Sequence, residues 1–371
     1  MADQEGRGIR CTPTRWRLIA SGVLLTACPL LVLLFERFGE ALSGGYRPFS
    51  KGLLSLQATV ASVAPFALWD FFVVGLALTA LFTLVRRVVR RRPLLPWLSV
   101  VLLVSSATLF LFVSGWALNH YALSLANEIG LEVGAYTDDE LAAATRHYLE
   151  RAVALAPSVP RGEDGELLRQ DFYELARIAG GSYRELSESY GIFEGSQAPV
   201  KALLLLGEPL LLSGHVGIFF SPTGESSVPV NCAVADLPFT MCHEAAHRLA
   251  IAREQEANFA AFLACTTSDD VRFSYSGYYS AFSFCYGALR RSDPDRAARL
   301  LDEVRASGLD AGVGLVFADL VATGRHYDAY EGWFGRVGSA VNDGYLRSFG
   351  EREGVRSYGL VVDYLIAWDR R

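Results

Sequence analysis

His243-Glu244-Ala-Ala-His247 carries chemistry in its residue types and spacing alone. Two imidazoles four residues apart on a helix differ by about 40° in direction and can reach one ion, while a Glu one position along reaches a water instead. Such a set suits metal-assisted hydrolysis: the ion acidifies a water and Glu244 takes its proton. The competing reading is a surface His pair on an amphipathic helix. Apolar flanks count against it, because Leu237-Pro-Phe-Thr-Met-Cys242 and Leu249-Ala-Ile251 would leave two part-buried imidazoles in need of partners.

A catalytic zinc takes three protein ligands and leaves one position open. The next segment, Arg253-Glu-Gln-Glu-Ala-Asn258, offers carboxylates. On one unbroken helix Glu256 would point about 180° away from His247, and Glu254 would sit about 10 Å further along the axis. The chain must therefore turn between Leu249 and Arg253 and start a second helix. Glu256 is the expected third ligand and Glu254 the reserve, with Asn258 able to orient a ligand.

The elements that must position these groups are mostly helical. Thr137-Asp-Asp-Glu140, Ser182-Tyr-Arg-Glu185 and Ser292-Asp-Pro-Asp295 read as helix starts, Gly180-Gly181 and Gly308 as helix ends, and Ala311 to Phe349 as helix with glycine interruptions. One segment has strand character: His215 to Phe220 and Ser226 to Val230, joined by Ser221-Pro-Thr-Gly224, predict a hairpin. Pro229 would put the second run at a sheet edge or strand end. An edge here would suit a protease that binds its substrate as an added strand.

The first third is different. Of 371 residues 51% are hydrophobic and only 20% charged, and the apolar excess lies in Leu18–Phe35, Pro65–Val85 and Pro96–Ala117. Each run has the roughly 20 residues needed to cross a bilayer. The expected division is a membrane domain, 1–118, with three transmembrane helices, and an extracytoplasmic domain, 119–371. Leu18–Phe35 reads as a retained span, since no small-residue cleavage site follows it. Arg7, Arg10, Arg15 and Arg17 before the first span, and Arg86, Arg87, Arg90, Arg91 and Arg92 between the second and third, place the N-terminus in the cytoplasm. Residues 36–64 then form an outer loop, and Asp70 lies close enough to the outer surface to stay wet. The basic clusters flank apolar runs rather than lining a groove, and net charge is -6, so no nucleic-acid partner is expected. Cys232, Cys242, Cys265 and Cys285 read as buried thiols.

The run Leu237-Pro-Phe-Thr-Met-Cys-His-Glu-Ala-Ala-His-Arg-Leu-Ala-Ile-Ala-Arg-Glu-Gln-Glu-Ala-Asn-Phe259 resembles the signature of a bacterial membrane-protein family, domain of unknown function 3810. Gly217-Ile-Phe-Phe-Ser-Pro-Thr-Gly-Glu225, Tyr275-Ser-Gly-Tyr278, Asn342-Asp-Gly-Tyr-Leu346 and Gly354-Val-Arg-Ser-Tyr358 resemble its other blocks. The resemblance implies a zincin-like metallopeptidase with a Glu third ligand on the helix after HExxH, placed at Glu256 by the Glu-Ala-Asn pattern. Where relatives commonly have Gly after the second His, this chain has Leu249-Ala250.

The expectation is thus a mainly α, multi-pass membrane protein with a zincin-like α+β domain and a small hairpin outside. His243, His247 and Glu256 would hold Zn2+, Glu244 would act as general base, and a peptide or protein at the outer face would be the substrate. Oxyanion donors come from Tyr275, Tyr278, Tyr345, Arg356 and Tyr358, of which Tyr278 and Tyr358 are carried forward as catalytic candidates. The remaining His residues, His120, His147, His215 and His326, are expected to be structural or exposed. The alternative is a catalytically silent protein that binds metal or an envelope ligand.

Overall fold

The computed structural model describes residues 13–349 and 360–371, so Arg356 and Tyr358 lie outside the described residues. Apolar runs without charge can satisfy their backbone in lipid only as helices. The three runs fall in α1 (Pro13–Ala61), α2 (Leu68–Val89) and α3 (Leu95–Gly115), all long and apolar enough to cross a membrane. A fourth stretch, Pro294–Asp328, also meets those criteria.

Residues 36–61 are helix, not the loop expected for 36–64. Contacts from far along the chain hold them: Arg47 pairs with Glu128 at 2.5 Å, Ser50 Oγ donates to Gly115 O at 2.7 Å, and Lys51 Nζ donates to Ile192 O at 2.5 Å. Such packing overrides the local break signals of Gly44, Gly45 and Pro48. The rings of Phe35 and Tyr46 meet edge-on with centroids 4.9 Å apart. Eleven residues of straight helix would separate their Cα atoms by about 16 Å along the axis, so α1 bends between them.

The turn from α1 to α2 is fastened by three buried charges. Lys201 donates to the carbonyls of Ala61 and Ala64 at the end of α1. Glu225 accepts from the N–H groups of Leu68 and Trp69 at 2.8 and 3.1 Å. A cation at a helix C-terminus and an anion at an N-terminus both complement the helix dipole. Asp70 is fully buried rather than wet, and accepts from the N–H groups of Leu204, Leu205 and Leu206 at 2.9, 2.8 and 3.0 Å. Replacing Asp70 by Ala strands three backbone donors, so the protein in detergent should lose about 3 kcal/mol or more of stability. A lower thermal midpoint checks this, and an unchanged one would show that water serves these donors.

The sheet is small: β1 (Lys201–Leu203), β2 (Ile218–Phe220) and β3 (Glu225–Pro229), in the order β1-β3-β2. β2 and β3 form the expected antiparallel hairpin, while β1 lies parallel on the far side of β3. Pro229 closes the end of the central strand, so the edge beside the hairpin turn belongs to β2.

The remaining elements are helices: α4 (Leu125–Ile129), α5 (Asp138–Leu155), α6 (Phe172–Gly181), α7 (Arg184–Ser189), α8 (Gly207–Leu212), α9 (Leu237–Arg248), α10 (Glu254–Thr266), α11 (Val271–Ser292), α12 (Pro294–Val304), α13 (Asp310–Asp328), α14 (Trp333–Ser348) and α15 (Val361–Asp369). Thr137 and Glu140 form a full capping box on α5. Asp293, not Ser292, caps α12, and Ser182 follows the end of α6 instead of starting a helix. The stretch Pro294–Asp328 is α12 and α13 with Gly308 at φ +91° between them, and Asp319 of α13 is buried on Arg161 at 2.7 Å.

One core joins α5, α9, α10, α11 and α15 through Tyr148, Leu149, Met241, Phe259, Phe273, Phe282 and Leu365. Among the described residues Cys232, Cys242, Cys265 and Cys285 are buried and free. A second cluster crosses the expected boundary at 118: Phe35, Leu54, Val113, Trp116 and Leu118 pack with Phe219, Ala252 and Phe349. The long apolar helices and the segments after residue 118 therefore share a core.

Candidate metal centre

α9 is buried along its whole length, so its polar side chains must find partners inside the protein. It ends in a Schellman turn, with Ala250 N–H on His247 O at 3.0 Å and Ile251 N–H on Ala246 O at 3.3 Å. Such a turn needs a left-handed residue, and Ala250 supplies it at φ +63° in the place where Gly is easiest. A Cβ there costs about 1 kcal/mol, which the burial of Leu249, Ala250 and Ile251 offsets. Arg253 is then extended, and α10 begins at Glu254.

As the first residue of its helix, Glu254 points back at α9. Its Oε2 lies 3.2 Å from His243 Nε2 and 3.7 Å from His247 Nε2, and the two Nε2 atoms are 3.1 Å apart. Three donors on a tetrahedral ion at bond lengths of 2.0–2.1 Å would be roughly 3.3 Å apart. The buried group of His243, His247 and Glu254 could hold a metal ion. Glu256, the expected third ligand, is turned elsewhere: its Oε1 accepts from Arg253 at 2.9 Å and from Tyr364 at 3.2 Å. Two residues along a helix rotate a side chain by about 200°, so only one of the two carboxylates can face α9. Arg253, held by Glu256, also donates to the carbonyls of His120 and Ala122 at 3.1 and 3.0 Å, tying the start of α10 to the segment that follows α3.

The imidazoles are oriented from behind. His247 Nδ1 donates to Ile251 O at 2.8 Å, since a carbonyl can only accept, which leaves Nε2 for a ligand. Asn258 lines the same cavity as His243. Trp116, which follows the last residue of α3, donates to His247 O at 2.9 Å and meets its ring edge-on at 5.6 Å between centroids.

Glu244 sits beside the pair. Ser226 Oγ donates to its carbonyl at 2.6 Å, locking α9 to β3. A Cβ on Gly217 would collide with the Glu244 carboxylate, so only glycine leaves room for it. Glu244 Oε2, Glu254 Oε2 and Asn258 Nδ2 are buried without a hydrogen-bond partner among the described residues. Burial pushes the Glu244 carboxyl up to about 8. Burial acts the same way on Glu254, but His247 and His243 outweigh it and hold Glu254 well below the usual carboxylate range.

Two cavities meet at these groups. One of about 440 Å3 is lined by Asp236, Thr240, Asn258 and Ser280, and one of about 490 Å3 by Phe112, Trp116, Phe219, Val341 and Tyr345. His215, Gly217, His243, Glu244 and Asn342 border both.

Of the expected oxyanion donors among the described residues, only Tyr345 is placed at the cleft, its hydroxyl 3.2 Å from His120 Nε2. Tyr278 points away, with Arg151 3.3 Å from its hydroxyl, and Tyr275 is buried on Asp319. His215, Trp116, Gly217 and Asn342 were not singled out for this site from the sequence. His215 has Nδ1 2.9 Å from Ser213 Oγ, and its proximity to the predicted hairpin was the signal that could have marked it.

No curated protein and no solved structure matches the chain. A family model described as "Protein of unknown function (DUF3810)" matches residues 46–366, which take in the whole cleft. The chain belongs to that family.

Proposed function

We propose that this protein is a membrane-anchored, zinc-dependent metallopeptidase acting on a peptide or protein at the outer face of the membrane. The observation that carries this reading is the convergence of His243, His247 and Glu254 at ligand spacing, with the unpartnered Glu244 carboxylate beside them in an open cleft. A zinc ion held there would acidify a water and polarise a carbonyl.

The chain's own residues do the rest. Glu244 takes the proton of the attacking water and delivers it to the leaving amine. A site that only bound metal for stability would close its fourth position and would need no such base. β2 is an edge strand among the described residues, and it runs from Gly217, which touches Glu244. A substrate chain pairs along that edge with its scissile carbonyl over the His pair. Tyr345 and His215, which line the cleft at the His pair, are the donors offered to the carbonyl oxygen.

In this reading α1, α2 and α3 each span the bilayer once, the arginines between α2 and α3 lie in the cytoplasm, and the cleft lies outside. The test uses the full chain in detergent with a mixed peptide library. Cleavage that stops on chelation and returns with about one equivalent of zinc is the expected result. Cleavage indifferent to chelator would overturn the reading.

A further inference from the structure

The wall of the cleft opposite β2 is built by α14, whose exposed side is apolar. Trp333, Phe334, Val337 and Val341 are 58%, 56%, 50% and 67% exposed. On a helical wheel these four fall within about 100°, between a strip carrying Asp343, Arg336 and Arg347 and the side that carries Gly338 and Tyr345. Gly338, Val341 and Tyr345 line the cavity at the His pair. One helix therefore presents an apolar stripe outward and a wall inward.

The contacts of α14 place that stripe at the level where the apolar helices end. Tyr345 and Phe349 pack on Phe112, one turn from the end of α3, at ring distances of 5.9 and 6.1 Å. At the other side Gly338 approaches the Ser213 backbone too closely for a Cβ, and Gly335 faces Leu212 O. Leu212 is itself exposed, as are Leu204 and Leu205. The N–H groups of Leu204 and Leu205 are fixed by Asp70, in the first turn of α2, beside the exposed Phe71 and Phe72. The apolar surface of α2 and α3 thus continues through Leu204, Leu205 and Leu212 to the stripe on α14. Contiguous exposed apolar side chains of this kind need a cover.

We propose that α14, with Leu204, Leu205 and Leu212, lies in the outer interfacial layer of the bilayer, and that the cleft receives polypeptides tethered to that membrane by an apolar segment or acyl chain. Continuity with the spanning helices selects lipid over a soluble partner as the cover. An interfacial helix sinks its apolar face among the acyl chains and keeps its charged strip at the headgroups, which the Asp343, Arg336 and Arg347 border fits. With α14 so placed, the lining formed by Phe112, Trp116, Val341 and Tyr345 is the side of the cleft nearest the lipid. The substrate half of the proposal rests on the peptidase reading; the position of α14 does not.

The experiment uses the full chain in phosphatidylcholine–phosphatidylglycerol nanodiscs, with bimane attached at Val337→Cys and, separately, at Phe334→Cys, and the unsubstituted protein as background. Strong quenching by doxyl-labelled lipid with weak quenching by aqueous iodide at both positions is expected. Strong iodide quenching would overturn the proposal, as would protection from both quenchers with concentration-dependent dimers, which would make a second copy the cover. In the second arm one cleavable peptide is offered with and without a palmitoyl anchor. The anchored form should have at least a tenfold higher kcat/KM, an advantage that Val337→Glu reduces. Equal cleavage of both forms would overturn the substrate half. Failure to cleave either, with lipid quenching intact, would overturn the peptidase reading and leave the membrane position of α14 standing.

Discussion

Glu244→Gln in the full-length protein is expected to keep its metal at the parental level and to lose peptide hydrolysis by about 10³-fold or more. The amide has nearly the same shape, and the space that Gly217 leaves accommodates it equally well. What it loses is the ability to take a proton, and the fold, the cleft and the three ligands stay as they are. Burial pushes the Glu244 carboxyl up to about 8, and a cation held at the His pair would draw it back towards the ionised form that can take a proton. Turnover numbers of parent and variant, measured with matched metal content, check this. Equal activity would remove Glu244 from the mechanism, and equal inactivity in both would favour the silent metal-binding alternative.

The second large effect separates two carboxylates two positions apart. Glu254→Ala should weaken metal binding by at least about 10²-fold, because it removes one of three donors, whereas changes behind the ligands typically cost 10–100-fold. Glu256→Ala should keep the metal. Its cost is to stability, about 1–3 kcal/mol, since Arg253 and Tyr364 lose the oxygen they share. Metal titration and thermal unfolding of both variants resolve the pattern. Metal loss in Glu256→Ala with retention in Glu254→Ala would restore the assignment expected from the sequence.

That assignment shows what a sequence carries and what it does not. The His243–Glu244–His247 set was legible because its spacing lies within one helix, where 3.6 residues per turn fix every direction. The turn after it was also legible, since an unbroken helix leaves both carboxylates out of reach. The phase of the next helix was not. It depends on Ala250 entering the left-handed region and Arg253 being extended, which makes Glu254 the residue that faces back. Neither backbone angle is encoded in residue type, because Ala disfavours the first and Arg is indifferent to the second.

The apolar runs were legible because a bilayer sets a minimum length, and the hairpin because Ser221-Pro-Thr-Gly224 separates two β-prone runs. Residues 36–61 were misread as a loop because in the sequence they only join two apolar runs, whereas the partners that keep them helical, Gly115, Glu128 and Ile192, are about 65 to 141 positions away. Asp70 was misjudged for the same reason, its donors being 134 to 136 positions on. β1 has three residues, too few to show alternation. Tyr278 carries no spacing relation to the metal helix, and the face of α11 that it occupies was settled only by packing against Phe262 and Arg151.

The account stands on an ion at His243, His247 and Glu254. Metal content of the purified full-length protein, alongside His243→Ala, tests this most directly. About one zinc per folded chain in the parent and none above background in the variant is the predicted result. A folded parent with no metal, unable to take up added zinc, would contradict it.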